Sequence, residues 1–330
     1  MDQLLSLAAD NLISPIILSF VLGVAAAMAR SELSIPEAVA KGMSIYLLFA
    51  IGFKGGVSVA AHGIDGTLGL ALLAGIVLSF VLPLIAFGLL RVMTGLSTLD
   101  AAAVAAHYGS ISIVTFVAGT SILESRGIGS EGYMVAVAAA MEAPAILSAL
   151  WLVARGGGNG ENAGKGMDSA LMREIMLNGS IVLLVGAFFI GWATGQEGLA
   201  EIAPFIVTPF KGVLCLFLLD MGLVAGRGLR QGGSILSPGV LAFGVLMPLI
   251  GSVLGLGFAL ALGVSAGGIA LFMVLSASAS YIAVPAAMRV ALPEANPSLY
   301  LTLSLGVTFP FNLTLGIPLY VAVAQAVSGG

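Results

Sequence analysis

The chain has 330 residues, of which 59% are hydrophobic and 8% charged, and its mean hydropathy of +1.13 is more than a water-facing fold can carry, which excludes a soluble enzyme. Its 12 basic and 16 acidic side chains leave a net charge of −4, so there is no basic surface to hold nucleic acid. A single cysteine, Cys215, excludes an internal disulfide, and two histidines beside it form no metal-ligand cluster.

A bilayer core takes about 20 apolar residues per helix, and apolar runs of that order follow one another along the chain. The first covers about residues 11–29; no basic n-region precedes it, so it reads as a retained span and not as a signal peptide. Runs at about 43–60, 67–90, 99–120 and 133–154 complete a first set of five. The stretch from Arg155 to Arg173 is hydrophilic and opens with Gly156-Gly157-Gly158-Asn159-Gly160, the composition of a flexible linker. A second set of five lies at about 175–195, 203–225, 235–262, 265–290 and 298–327. The expected fold is therefore an all-α integral membrane protein of ten transmembrane helices. It divides into residues 1–155, a linker at 156–173, and residues 174–330.

Lys and Arg are retained on the cytoplasmic side of membrane loops. Arg30, Lys41, Arg91, Arg155, Lys165, Arg173, Arg227, Arg230 and Arg289 fall in one alternate set of loops, and Arg126 alone in the other. This places both termini outside the cytoplasm and the central linker inside, in the plasma (inner) membrane. Lys54 and Lys211 lie within or beside apolar runs.

The two halves resemble each other. Tyr46-Leu47-Leu48-Phe49-Ala50-Ile51-Gly52 matches Cys215-Leu216-Phe217-Leu218-Leu219-Asp220-Met221-Gly222. Ser79 to Ile85 matches Phe243 to Ile250, and Gly95-Leu96-Ser97 matches Gly263-Val264-Ser265, at offsets of about 165 to 169 residues. An odd number of spans per copy makes the second copy enter from the opposite side, a 5+5 inverted repeat of the kind that builds secondary transporters.

In the fourth span His107-Tyr108-Gly109-Ser110-Ile111-Ser112 interrupts the apolar run, and in the ninth Ser276-Ala277-Ser278-Ala279-Ser280-Tyr281 does so, followed by Pro285. Gly, Ser and Pro weaken a helix, so both spans are expected to break. A half-helix start offers unpaired N–H groups and a positive dipole end, which hold a small anion without arginine. The expected cradle is Gly109, Ser110, Ile111 and Ser112 with Ser276, Ala277, Ser278, Ala279 and Ser280. The plainer reading is that small residues only permit close helix packing. His107 is either a packing residue or a proton carrier.

Charges at membrane depth lie on pathways or in pairs. Glu142, before Pro144, and Asn312, after Pro310, supply hard oxygens and, with Thr308 and Thr115, form an expected sodium site. Lys54 and Asp220 sit at comparable depths and read as an ion pair or as separate snorkelling groups.

The segments Gly52-Phe53-Lys54-Gly55-Gly56, Ala106 to Phe116 and Leu275 to Ala286 resemble the sodium-dependent bicarbonate transporters of the SbtA type, and the similarity runs over essentially the whole chain. The resemblance implies bicarbonate held by crossing broken helices, sodium symport with no cofactor beyond the coupling ion, a homotrimer in membrane lipid, and a PII-like cytoplasmic regulator. The short, Gly-rich central linker departs from the cyanobacterial members. Two other functions fit the same composition: carriage of another small or organic anion, and bicarbonate sensing without transport. His62, His107 and Cys215 assemble no catalytic set, so an enzyme is not expected.

Overall fold

The computed structural model describes residues 15–63, 66–142, 144–155, 179–232, 236–281, 284, 285, 288, 292 and 294–329. Every regular element among them is helical. The first half holds α1 (Pro15–Met28), α2 (Glu37–His62), α3 (Gly66–Met93), α4 (Thr98–Gly109), α5 (Ile113–Ser125), α6 (Met134–Ala140) and α7 (Pro144–Arg155). The second holds α8 (Gly179–Ile206), α9 (Phe210–Gly232), α10 (Pro238–Leu262), α11 (Ala266–Ala277), α12 (Pro297–Leu303), α13 (Phe309–Phe311) and α14 (Ile317–Val327). The linker at 156–173 lies outside the described residues, as do both chain ends.

Among the described residues, seven segments are long and apolar enough to cross a membrane: Glu37–Ala61, Gly66–Met93, Thr98–Ser125, Met134–Val153, Phe210–Arg230, Pro238–Leu262 and Pro297–Val327. Pro15–Met28 and Ala266–Ala277 are shorter apolar helices. The outer faces carry unsheltered large side chains, Leu70, Leu73 and Leu84 on α3 and Leu241, Val253 and Leu260 on α10, which suit a lipid surroundings and not water. This is a multi-pass membrane protein. The most apolar stretch of Thr98–Ser125 is 100% buried, against 33% for that of Pro238–Leu262, so α4 and α5 run through the interior while α10 lies at the rim.

Helix ends follow local chemistry. Ser97 and Ser265 cap α4 and α11 in the same way, each side chain accepting an amide three residues on, from Asp100 and Gly268. Ser237 caps α10 with Pro238 at its first position, and Gly263 ends that helix at φ 65°, a left-handed conformation open to glycine.

The structure departs from the expected spans in three places. The fifth run is not one helix: α6 ends at Ala140, a turn covers Met141 and Glu142, and α7 starts at Pro144, whose missing N–H cannot continue the α6 ladder. The sixth continues past Gly195, where φ 59° and ψ −150° kink the chain, and its second limb runs to Ile206, so the next helix starts at Phe210 and not near 203. The tenth stays helical but widens into π turns at Ser304–Thr308 and Asn312–Gly316, where Pro310 and Pro318 withhold donors from the α pattern.

Two helix pairs close without side chains between them. Gly56 and Gly191 set α2 directly on α8, a methyl group at Gly56 meeting the Phe188 carbonyl and one at Gly191 the Phe53 carbonyl. Gly23 and Gly222 do the same for α1 and α9, against the carbonyls of Leu219 and Phe20. These four helices form one group, and α3, α4, α7, α10 and α11 pack into another. Gly56→Leu is expected to lower the stability of the detergent-solubilised protein by about 1–3 kcal/mol through overpacking. The check is its thermal denaturation followed by size exclusion, with Gly42→Leu, where space is open, leaving the midpoint in place.

Candidate functional site

The fourth segment breaks where expected. The α4 helix ends at Gly109, Ser110 is extended at φ −91° and ψ 158°, and Ser112 at φ −99° and ψ 108° caps α5 by accepting from the Thr115 amide at 3.1 Å. Gly109 allows this close packing, because a Cβ there would run into the ring of Pro83 from α3 and the methyl of Ala145. The ninth segment ends α11 at Ala277, with Ser278 extended at φ −83° and ψ 161°. Beyond Tyr281 it is described only in part.

The two breaks meet. The Ser112 amide donates to Ser278 Oγ at 2.9 Å, and that hydroxyl donates onward to the Leu275 carbonyl at 2.8 Å. In the other direction the Ser280 amide donates to the His107 carbonyl at 2.7 Å. Each break thus gives an amide to the carbonyl end of the opposing half-helix, directly in one case and through a hydroxyl in the other. All nine residues of the expected cradle, Gly109 to Ser112 and Ser276 to Ser280, are brought together and buried. The amides of Ser112 and Ser280 are consumed by the crossing itself, which the sequence reading did not foresee. What remains for a ligand at the start of α5 is its first two amides, Ile113 and Val114, which have no intrahelical acceptor.

The expected cation ligands surround the crossing without bonding to one another. Glu142 accepts from Ser110 Oγ at 2.7 Å, and the Met141 carbonyl next to it accepts from Ser79 at 2.6 Å. The Thr115 hydroxyl donates to Ser112 Oγ at 2.9 Å. Across the crossing, Asn312 donates from Nδ2 to the Ala277 carbonyl at 2.8 Å and accepts from the Tyr320 hydroxyl at 3.0 Å. Thr308 donates to the Gly244 carbonyl at 2.7 Å and shares a hydrogen bond with Tyr108. Glu142 and Asn312 therefore hold matching places: one receives the first residue after α4, the other secures the last residue of α11.

The polar interior is not fully satisfied from within. Ser276 Oγ and His107 Nε2 are buried without a hydrogen-bond partner among the described residues, and the Tyr281 hydroxyl faces the side chains of Ser112 and Thr115. His107 is fully buried, its Nδ1 lies 2.6 Å from the Ala103 carbonyl, and its ring stacks on Tyr300 with centroids 4.3 Å apart. Tyr108, Tyr281 and Tyr320 were not singled out from the sequence as site residues, although two of them sit inside the quoted serine motifs and a hydroxyl at membrane depth is itself a signal.

A profile of the Na+-dependent bicarbonate transporter superfamily matches residues 15–325. The chain belongs to this superfamily. No curated protein matches it at significant similarity. The profile match spans both breaks and the segments that carry Glu142, Thr308 and Asn312.

Of the two readings for Lys54 and Asp220, an ion pair or separate groups, the ion pair does not form: Lys54 Nζ lies 2.9 Å from Glu124 Oε1, at the far end of α5, and 5.4 Å from the ring centre of Phe210. Asp220 is buried on α9 and forms no ion pair among the described residues. Similar depth in two spans does not make two side chains neighbours, and the turn of each helix decides which face they occupy.

Gly109→Val is expected to force Pro83 and Ala145 away from the break, at a cost of about 1–3 kcal/mol for overpacking. A lowered denaturation midpoint in detergent checks this, and Gly95→Val, in open space, is the control.

Proposed function

We propose that this chain imports bicarbonate together with sodium by alternating access, and that the meeting of the two breaks is where the anion sits. The observation that carries the reading is the pair of extended breaks, at Ser110–Ser112 and from Ser278 onward, facing each other in a buried, hydroxyl-rich setting inside a bicarbonate-transporter family chain. No Lys or Arg takes part in the crossing's hydrogen bonds. The anion's charge is then met by helix-start amides and by hydroxyls, a favourable arrangement for a compact oxyanion.

On this reading the chain is a ten-span 5+5 inverted repeat, supported by the like capping of α4 by Ser97 and α11 by Ser265 and by the matching places of Glu142 and Asn312. Sodium binds beside the crossing, with Glu142 as its one carboxylate and Asn312, Thr308 and Thr115 as neutral oxygen donors. Inward sodium offsets the work of bringing an anion into a negative interior, about 2.3 kcal/mol per charge per 100 mV. The protein resides in the inner membrane as a homotrimer, with both termini outside and the linker offered to a cytoplasmic PII-like regulator.

The decisive experiment is sodium-gradient-driven uptake of labelled bicarbonate by purified protein in liposomes. Ser110→Ala combined with Ser278→Ala is expected to raise the half-saturating bicarbonate concentration at least tenfold, about 1.4 kcal/mol of lost binding; unaltered uptake rejects the cradle. Glu142→Gln is expected to raise the half-saturating sodium concentration by roughly tenfold, again about 1.4 kcal/mol. Sodium dependence identical to the parent protein removes Glu142 from the cation site. Failure of bicarbonate to compete while an organic anion is carried identifies the alternative cargo.

A further inference from the structure

A cleft of about 180 Å³ is walled by α2 and Phe210 on one side and by α5, the 130–132 turn and α6 on the other. Its lining includes Phe116, whose amide bonds to the Ser112 carbonyl at 3.0 Å, so it reaches to within one helical turn of the crossing. Lys54 is the one basic residue lining it among the described residues. Ser121 also lines it, is 3% exposed, and its Oγ has no hydrogen-bond partner among the described residues.

The two acids of the cleft differ. Glu131 is committed to the head of α11, accepting from the Ser265 amide at 2.6 Å and its hydroxyl at 3.1 Å. Among the described residues the Glu124 carboxylate is held by Lys54 alone, and that pair has side chains 31% and 46% exposed, an arrangement that binds weakly and is screened by salt. Lys54 has three N–H donors and Glu124 engages one.

We propose that Lys54 and Ser121 form a second, outer binding site for a small monovalent oxyanion on its way to the crossing, with Glu124 as a built-in competitor that occupies the ammonium when no anion is present. The proposal rests on the transport reading above for its purpose, while its chemistry stands on the cleft alone. An arriving oxyanion takes the Lys54 ammonium from Glu124 and receives a hydrogen bond from Ser121, so it enters the membrane without losing all its charged partners at once.

The arrangement gives the two halves of the ion pair opposite effects. In the liposome uptake assay, Lys54→Met is expected to raise the half-saturating bicarbonate concentration about tenfold, and Lys54→Arg to restore it. Glu124→Gln is expected to lower it severalfold by freeing the ammonium, and the double variant is expected to behave as Lys54→Met. If Lys54→Met and Glu124→Gln shift it in the same direction, or neither shifts it, the pair is a structural clamp and the outer site is overturned. Size exclusion and the Lys54→Arg variant separate a folding defect from a binding one. Line broadening of ¹³C-bicarbonate by detergent-solubilised protein supplies a readout that needs no transport. Broadening abolished by Lys54→Met and retained by Ser110→Ala/Ser278→Ala supports the outer site even if sodium-driven flux proves absent and the transport reading falls. Flux present, with broadening indifferent to Lys54, overturns the outer site alone.

Discussion

The fold depends on how buried peptide groups are satisfied where two helices stop inside an apolar interior. Breaking a helix frees donors and acceptors that cost several kcal/mol each when left bare in hydrocarbon. Here the debt of one break is met by the other: Ser280 gives its amide to His107, and Ser112 reaches the Leu275 carbonyl through Ser278. Neither break is stable without its counterpart. Separating them would orphan a backbone group on each side, so α4, α5 and α11 are joined at the point where each would otherwise be weakest.

Around that junction, irregular backbone is placed where side chains can use it. The turn at Met141–Glu142 and the π turns at Ser304–Thr308 and Asn312–Gly316 expose carbonyls and rotate polar residues toward the crossing. Both features trace to prolines, Pro144, Pro310 and Pro318, and each is a mild disturbance compared with the full breaks. The second helix group behaves differently. Gly56, Gly191, Gly23 and Gly222 lock α2 on α8 and α1 on α9 at backbone contact, leaving little freedom within each pair.

Much of this was legible in the sequence because apolar runs and helix breakers are local signals. The breaks after Gly109 and after Ala277 follow from Gly, Ser and their position within long apolar runs, and the serine motifs carried the family resemblance that the profile match shows. What was not legible is which face of each helix a residue occupies. Depth alone leaves Lys54 and Asp220 open to being an ion pair or separate groups, and the partner of Lys54 is Glu124, 70 residues away on α5. Likewise the sequence marks Ser112 and Ser280 as donors but not that their amides are already spent on the opposing segment. The link between Tyr108 and Thr308 spans 200 residues and has no local trace.

The middle of the α4 helix, which leads into the first break, has Ala101, Ala102, Ala103, Ala105 and Ala106 at 0% exposure, so that stretch is enclosed on every side yet clad mostly in methyl groups. Leucine-clad rods mesh through deep ridges and grooves that resist axial slip. A cylinder this smooth has shallow teeth, and its neighbours grip it by area instead of by interlock. Along this stretch the segment is held by contact area, and its axial position is fixed at its end, where the Ser280 amide binds the His107 carbonyl.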